Sequence, residues 1–339
     1  MRDGEQQGLI SAAAFPVRLD VEKSRFEFVQ VDERLVRTAT FLDPRSLVQG
    51  RHSSAIVDAL ALCAELDRAG VRRCPIRWIF HLGHCGSTLL SRVVDGFSGV
   101  LGLREPQCLL SLESYRMELD TPLARVSRER WEGLLSTSLR LLGRGFDPGQ
   151  RVVIKPTSIC SALAERLLGV DDTAVFLHID LRDYLAALLR EPGLRHQAWL
   201  NTLPRLSDWQ SWTNDALALR LYGLTPARAI ALSWEVERRR VNQFQARLNQ
   251  PVASVDFDDW LADPEAQTSR LASALGLETT RVEVQNALQG AALERYSKDP
   301  SQHFDRAARR RELDQSIHQY REEIDDAMTW HRESLLPVP

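Results

Sequence analysis

The sequence predicts an α/β fold, a three-layer αβα arrangement around a central, mainly parallel sheet with added helices at the C-terminus. Three observations carry this expectation. Short, almost wholly apolar runs recur along the chain, as in strands buried on both faces. Amphipathic helical stretches alternate with them at the spacing of βαβ units. The first such run passes directly into a glycine-bearing turn and a helix start. At 339 residues, 44% hydrophobic and 26% charged, the chain can bury a core without disulfide or metal staples.

Taken in order, Arg25 to Val31 predicts a strand, with Phe26, Phe28 and Val31 among polar residues. A helix is expected from Ser54 to Ala69, where Ile56, Ala59, Leu60 and Cys63 fall at helical spacing behind a Ser cap. Ile76 to Leu82 is the first buried strand, followed by the glycine turn and the helix STLLSRVVDGF. Further buried strands are expected at Gly99 to Leu103, Arg151 to Lys155, Thr173 to Asp180 and Val252 to Phe257. Helices are expected at Pro122 to Leu142, Ser158 to Leu168, Arg182 to Arg190 and Ala227 to Leu248. Asp263-Pro264 supplies an N-cap and an N1 proline for a helix ending at Gly276. The chain then divides into an N-terminal extension packed on the core (1–70), the main domain (71–301) and charged C-terminal helices (302–339).

Charge and composition exclude several classes. Lys plus Arg is 43 and Asp plus Glu is 46, a net charge of −3, so no basic face for nucleic acid is expected. The longest uncharged run, Trp78 to Ser91, is too short to span a bilayer, and the N-terminus does not read as a signal peptide. Cys63, Cys74, Cys85, Cys108 and Cys160 are scattered without a C-x-x-C pair. This predicts reduced thiols in a cytoplasmic protein. The eight histidines show no metal-ligand spacing, so no metal site is expected.

In a parallel sheet the chemistry belongs at the C-terminal ends of the strands. The first such end reads His81-Leu82-Gly83-His84-Cys85-Gly86-Ser87-Thr88. A glycine-bearing loop entering a helix N-terminus offers free N–H groups and the positive end of the helix dipole to an anion; Ser87 and Thr88 add hydroxyls. The alternative is a tight turn whose Ser only caps the helix. Against the pattern G-x-x-x-x-G-K-[ST], Gly86 and Thr88 fit, while Ser87 stands in the lysine position and His81 in that of the first glycine. Without that lysine, transfer of an ATP γ-phosphoryl group is the weaker reading.

These residues resemble a known family. HLGHCGSTLLSR is similar to the 5′-phosphosulfate-binding loop of the P-loop sulfotransferases. Leu103-Arg104-Glu105-Pro106 resembles the segment that delivers an acidic base in several of those enzymes, and Val153-Ile154-Lys155-Pro156 their strand-end Lys-x-Pro. Ser233-Trp234 and the later VASVDFDDWLADPEAQTSRLASALGL resemble the tail of that fold. The likeness spans about Pro75 to Ser301 and is nearest to bacterial sulfotransferase-like proteins with a KPTS strand end.

The resemblance implies a sulfotransferase moving a sulfuryl group from 3′-phosphoadenylyl sulfate to a hydroxyl or amine, without a metal. Gly83, His84, Cys85, Gly86, Ser87 and Thr88 would hold the 5′-phosphate. His84 would touch the bridging oxygen as a protonated imidazole, tying activity to the lower pH range. Lys155 would stabilise the transferred group, and Glu105 would accept the acceptor's proton; the plainer roles are a strand-terminal lysine and a carboxylate paired with Arg104. Cys85 reads as a packed thiol.

The sequence departs from the family where the 3′-phosphate is held, because Ile179 and Ala187 replace the usual Arg and Ser. Arg182, Arg190 and the late Arg295-Tyr296-Ser297-Lys298 are the basic candidates there, Arg182 and Lys298 foremost. Two alternatives stand beside this reading. TAVFLHID could be a Walker B strand placing Asp180 on Mg²⁺ in an ATP-dependent kinase. The fold could also be a degenerate binding protein whose helix Arg306 to Trp330 packs on a partner. The stretches Ser111 to Ser127 and His196 to Tyr222, expected to line the acceptor, carry no motif, and the sequence leaves the acceptor and the oligomeric state open.

Overall fold

In the computed structural model, residues 10–48, 54–213, 219–248, 252–289 and 305–336 are described. Five strands form the central sheet: β4 (Ile76–His81), β5 (Val100–Arg104), β6 (Arg151–Lys155), β7 (Thr173–His178) and β8 (Ala253–Asp256). Their order is β5-β6-β4-β7-β8, and every pairing is parallel. The apolar runs set this outcome, since β4 to β7 are buried almost throughout and helices flank the sheet. Asp172 pins the start of β4, accepting from the Ile76 N–H and the Trp78 indole at 2.9 Å each.

A second, antiparallel sheet precedes the first: β1 (Ala14–Asp20), β2 (Arg25–Gln30) and β3 (Ser54–Asp58). It joins the core through helices Gln107–Arg116 and Arg128–Leu142, which pack on β1. A buried ion pair locks the junction. Arg104, fully buried at the end of β5, donates to the carbonyls of Val36 and Ala39 and to Asp95 at 3.0 Å. Asp95 also accepts from Arg37 at 2.8 Å and from the Gly102 N–H at 2.7 Å.

Several boundaries differ from the sequence expectation. The helix expected at Ser54 to Ala69 begins only at Ala59, because Ser54–Asp58 pairs with β2 and Asp58 is the cap that accepts from the Leu60 and Ala61 N–H groups. Strand β1 had no counterpart in the sequence reading. The helix expected from Pro122 starts at Arg128, where the Ser127 hydroxyl accepts from the Arg130 N–H. Residues 158–168 open as a 3₁₀ turn, Ser158–Leu163, before a single α turn. Phe257 leaves the last strand to open a helix capped by Asp256. Asp263 caps the Pro264–Ala274 helix through the Ala266 N–H.

The C-terminal stretch is two helices, Arg306–Gln319 and Arg321–Trp330, broken at Tyr320. They lie against the chain's own helices Leu181–Leu189 and Pro226–Leu248. Leu313, Ile324 and Ala327 enter the core, and polar ties add to this: Arg310 to Asp183 at 2.8 Å, Ser316 to the Ala186 carbonyl at 2.7 Å, and, just past the second helix, His331 to the buried Glu235 at 2.9 Å. Among the described residues, no helix is long and apolar enough to cross a membrane.

Candidate active site

The loop between β4 and the Ser87–Asp95 helix adopts an unusual backbone. Gly83 (φ 86°), His84 (φ 52°) and Gly86 (φ 73°) are all left-handed. Such conformations turn successive N–H groups toward one side and form an anion-binding concavity. Gly86 is also the helix N-cap, with no side-chain cap, so the first-turn N–H groups have no intrahelical acceptor. Ser87 and Thr88 are buried at the helix start.

Close packing fixes the glycines. A Cβ on Gly86 would lie 2.1 Å from the Phe257 ring, and one on Gly83 would lie 3.2 Å from Ser158 Oγ. Only a residue without a side chain lets Phe257 press on the loop in this way. Phe257 in turn stacks on Trp260 with ring centroids 5.7 Å apart, and the Arg309 guanidinium covers it at 5.1 Å.

His81 braces the loop from below. Its Nδ1 accepts from the Gly83 N–H at 2.9 Å, so the other ring nitrogen carries the proton and donates to the Pro156 carbonyl, also at 2.9 Å. One buried imidazole thus ties the loop to the segment after β6, and the Tyr184 hydroxyl donates to the Leu82 carbonyl at 3.1 Å. Cys85 is fully buried, its thiol 3.5 Å from the Leu177 carbonyl. Burial pushes that thiol up to about 11, against the pull of Lys155 and nearby N–H groups. It stays protonated, as a packing group does.

Beside the loop, Lys155 at the end of β6 is completely buried and donates to Glu105. Glu105 follows β5 with φ 54°, its own N–H donating to the Lys155 carbonyl at 2.7 Å. The Thr157 hydroxyl lies 3.4 Å from the second Glu105 oxygen, and the Phe41 ring centroid 5.7 Å from the Lys155 ammonium. A non-glycine residue held in the left-handed region by its surroundings is typical of functional sites. The partner of Glu105 is therefore Lys155, whereas Arg104 turns inward to Asp95.

The other sequence candidates are placed as follows. His84 is half-buried on the loop. Arg182 pairs with Asp325 at 2.7 Å and Arg190 with Glu312 at 2.5 Å, both on the C-terminal helices. Ile179 is fully buried, and its carbonyl accepts from the Trp234 indole at 2.9 Å. Lys298, with Arg295, Tyr296 and Ser297, lies outside the described residues. Asp180 caps the following helix by accepting from the Arg182 N–H at 2.7 Å. Next to it, His178 at the end of β7 faces Asp256 at 3.4 Å, and burial lowers its pKa. Among the described residues, no group of three or more His, Cys, Asp or Glu could hold a metal ion.

Sequence reasoning missed three members of this constellation: His81, Phe257 and Phe41. A histidine closing an otherwise apolar strand was a usable signal for the first. The other two reach the site only through tertiary packing.

No protein-family model and no curated sequence relative matches this chain. Solved sulfotransferases are similar to it. The sulfotransferase domain from the curacin biosynthetic pathway is 14% identical, with a TM-score of 0.44 over 74% of this chain and 98% of that one. A sulfotransferase from Mycobacterium tuberculosis is 13% identical, with a TM-score of 0.41 over 77% and 80%. Retinol dehydratase, solved in a complex with retinol and PAP, is 13% identical, with a TM-score of 0.35 over 100% and 97%.

Proposed function

We propose that this chain is a sulfotransferase that moves a sulfuryl group from 3′-phosphoadenylyl sulfate to a hydroxyl or amine. The observation that carries the reading is the buried Lys155 paired with the partly exposed Glu105, set beside an anion-binding loop that has hydroxyls and no lysine of its own. Sulfuryl transfer, like phosphoryl transfer, runs through a loose transition state stabilised by positioning and fixed charge. The 83–88 backbone holds the 5′-phosphate. Glu105 takes the proton of the attacking hydroxyl or amine. As the new bond to sulfur forms, the bond from sulfur to the phosphate oxygen breaks and adenosine 3′,5′-bisphosphate (PAP) departs. Lys155 meets the negative charge that grows on the oxygens.

The described residues fit the 5′ end of this donor better than the 3′ end. Arg182 and Arg190 are engaged by Asp325 and Glu312, which leaves Lys298 as the expected 3′-phosphate ligand. The kinase reading is weaker: Asp180 already serves as a helix cap, and Ser87 stands where a phosphate-gripping lysine is needed. The packing of the C-terminal helices on the chain's own core likewise weakens a partner-docking role for them.

Calorimetric titration with PAP, alongside ATP with magnesium, tests the assignment. Micromolar binding of PAP, weakened in His84→Ala, is the expected result. Binding of magnesium ATP alone, or of neither nucleotide, overturns it.

A further inference from the structure

A cleft of about 590 Å³ lies between the antiparallel sheet, the Asp43–Arg45 segment and the start of the Gln107–Arg116 helix, within the roughly 300–1,000 Å³ usual for small-molecule sites. Its wall approaches Glu105 through Arg45 and the start of the Gln107–Arg116 helix. Gln107 and Ser111, one turn apart on the helix that begins two residues after Glu105, form part of its wall, and Arg45 feels the Glu105 charge. The strand of chain carrying Asp43, Pro44 and Arg45 continues from Phe41, which sits against Lys155.

The charges of the cleft are paired, with one exception. Arg18 pairs with Glu27 at 3.0 Å, Lys23 with Asp20 at 3.4 Å, and Arg45 with Asp43 at 2.5 Å. Arg25 also lines the cleft and is exposed. It stands opposite Asp20 across the β1–β2 pair and opposite Asp58 across the β2–β3 pair; its charge acts on Asp20, but Asp20 already receives the Lys23 N–H at 2.9 Å as well as its ammonium, and Asp58 caps the Ala59–Arg68 helix. Among the described residues, the Arg25 guanidinium has no acidic group within ion-pair distance. Beside these charges, Leu19, Pro44 and Ile56 give the cleft an apolar wall, with Ile56 65% exposed.

We propose that this cleft is the acceptor site and that it takes a small amphipathic acceptor bearing an anionic group, held by Arg25, with its apolar body on Leu19, Pro44 and Ile56. The acceptor role rests on the sulfuryl-transfer reading. The charge excess also accounts for specificity, since an arginine fork matches a carboxylate or sulfate with two parallel hydrogen bonds.

The test uses the full chain and two matched probes, para-hydroxyphenylacetate and its uncharged alcohol analogue tyrosol, titrated with PAP present. The carboxylate is expected to bind about tenfold more tightly than the alcohol, as one charge-assisted hydrogen bond would give. Arg25→Gln should abolish the difference and Arg25→Lys should keep most of it. Equal affinities, no binding of the carboxylate, or a preference unchanged in Arg25→Gln overturns the proposal. PAP binding without a carboxylate preference removes the cleft assignment alone. A preference that persists while PAP fails to bind overturns the transfer reading and with it the acceptor role.

Discussion

Replacing Gly86 by alanine places a methyl group where the Phe257 ring already lies. The added Cβ would fall 2.1 Å from two ring carbons, far inside contact distance. The ring cannot easily retreat: it is stacked on the buried Trp260, whose indole donates to Thr268 at 2.9 Å, and it is covered by Arg309. Overpacking of this kind costs about 1–3 kcal/mol. A side chain at φ 73° adds about 1–2 kcal/mol of backbone strain. The expected loss is therefore about 2–5 kcal/mol, read as a lower urea midpoint at unchanged slope. The double variant Gly86→Ala/Phe257→Ala isolates the clash. Relief of the steric part should make it at least 1 kcal/mol more stable than the two separate losses added together. A single-variant loss below about 1 kcal/mol, or strict additivity in the pair, would refute the claim that this contact shapes the loop.

Other outcomes follow from the same geometry. Lys155→Ala should lower the transfer rate by about 10²–10³, the usual effect of deleting one fixed transition-state charge; a drop of less than tenfold at saturating donor would remove Lys155 from the chemistry. Arg104→Met leaves Asp95 with Arg37 as its remaining guanidinium partner and orphans the Val36 and Ala39 carbonyls, a cost of about 1–3 kcal/mol for each orphaned group in urea unfolding. His81→Leu orphans the Gly83 N–H and the Pro156 carbonyl, about 1–3 kcal/mol for each group, and should weaken PAP binding in calorimetry. Glu235 provides a pH signature. Burial raises its pKa, but hydrogen bonds from His331, Arg238 and Arg239 outweigh burial and bring it from 4.5 down to about 2. A carboxyl with a depressed folded pKa stabilises fully above its unfolded value and loses that contribution as pH falls through the folded one. Stability should therefore decline from about pH 4.5 toward pH 2, and Glu235→Gln should flatten that slope in acid titrations followed by circular dichroism.

The central sheet was legible because burial on both faces imposes near-continuous apolar runs, as in IRWIFH and TAVFLH. The glycine turn was legible because a chain passing from a buried strand directly into a helix needs left-handed backbone there, which Gly83 and Gly86 supply. The N-terminal boundary was misread because apolar spacing does not reveal which face is inward. Ile56 and Leu60, which suggested a helix from Ser54, are 65% and 80% exposed, while Ala59, Leu62 and Leu66 form the buried stripe. Leu123 misled in the same way; it is 76% exposed, and the true helix begins at the Ser127 cap. The fate of Arg182 was hidden for a different reason. Its carboxylate partner, Asp325, belongs to a helix near the C-terminus with no periodic relation to it.

The dependence of the loop on Phe257 also has a temporal side. The ribosome releases the glycine turn early, whereas Phe257, β8 and the helices that grip Asp183 and Glu235 are made in the last third of the chain. Contacts of such long sequence separation form slowly, because their loop-closure entropy must be met before they stabilise anything. Until Phe257 and β8 emerge, the nascent β4–helix unit lacks the ring that shapes its turn, and the newborn strand β7 has a bare edge where β8 will pair. An unpaired strand edge is a template for aggregation. Truncations before Phe257 should therefore accumulate in inclusion bodies instead of yielding a smaller folded domain.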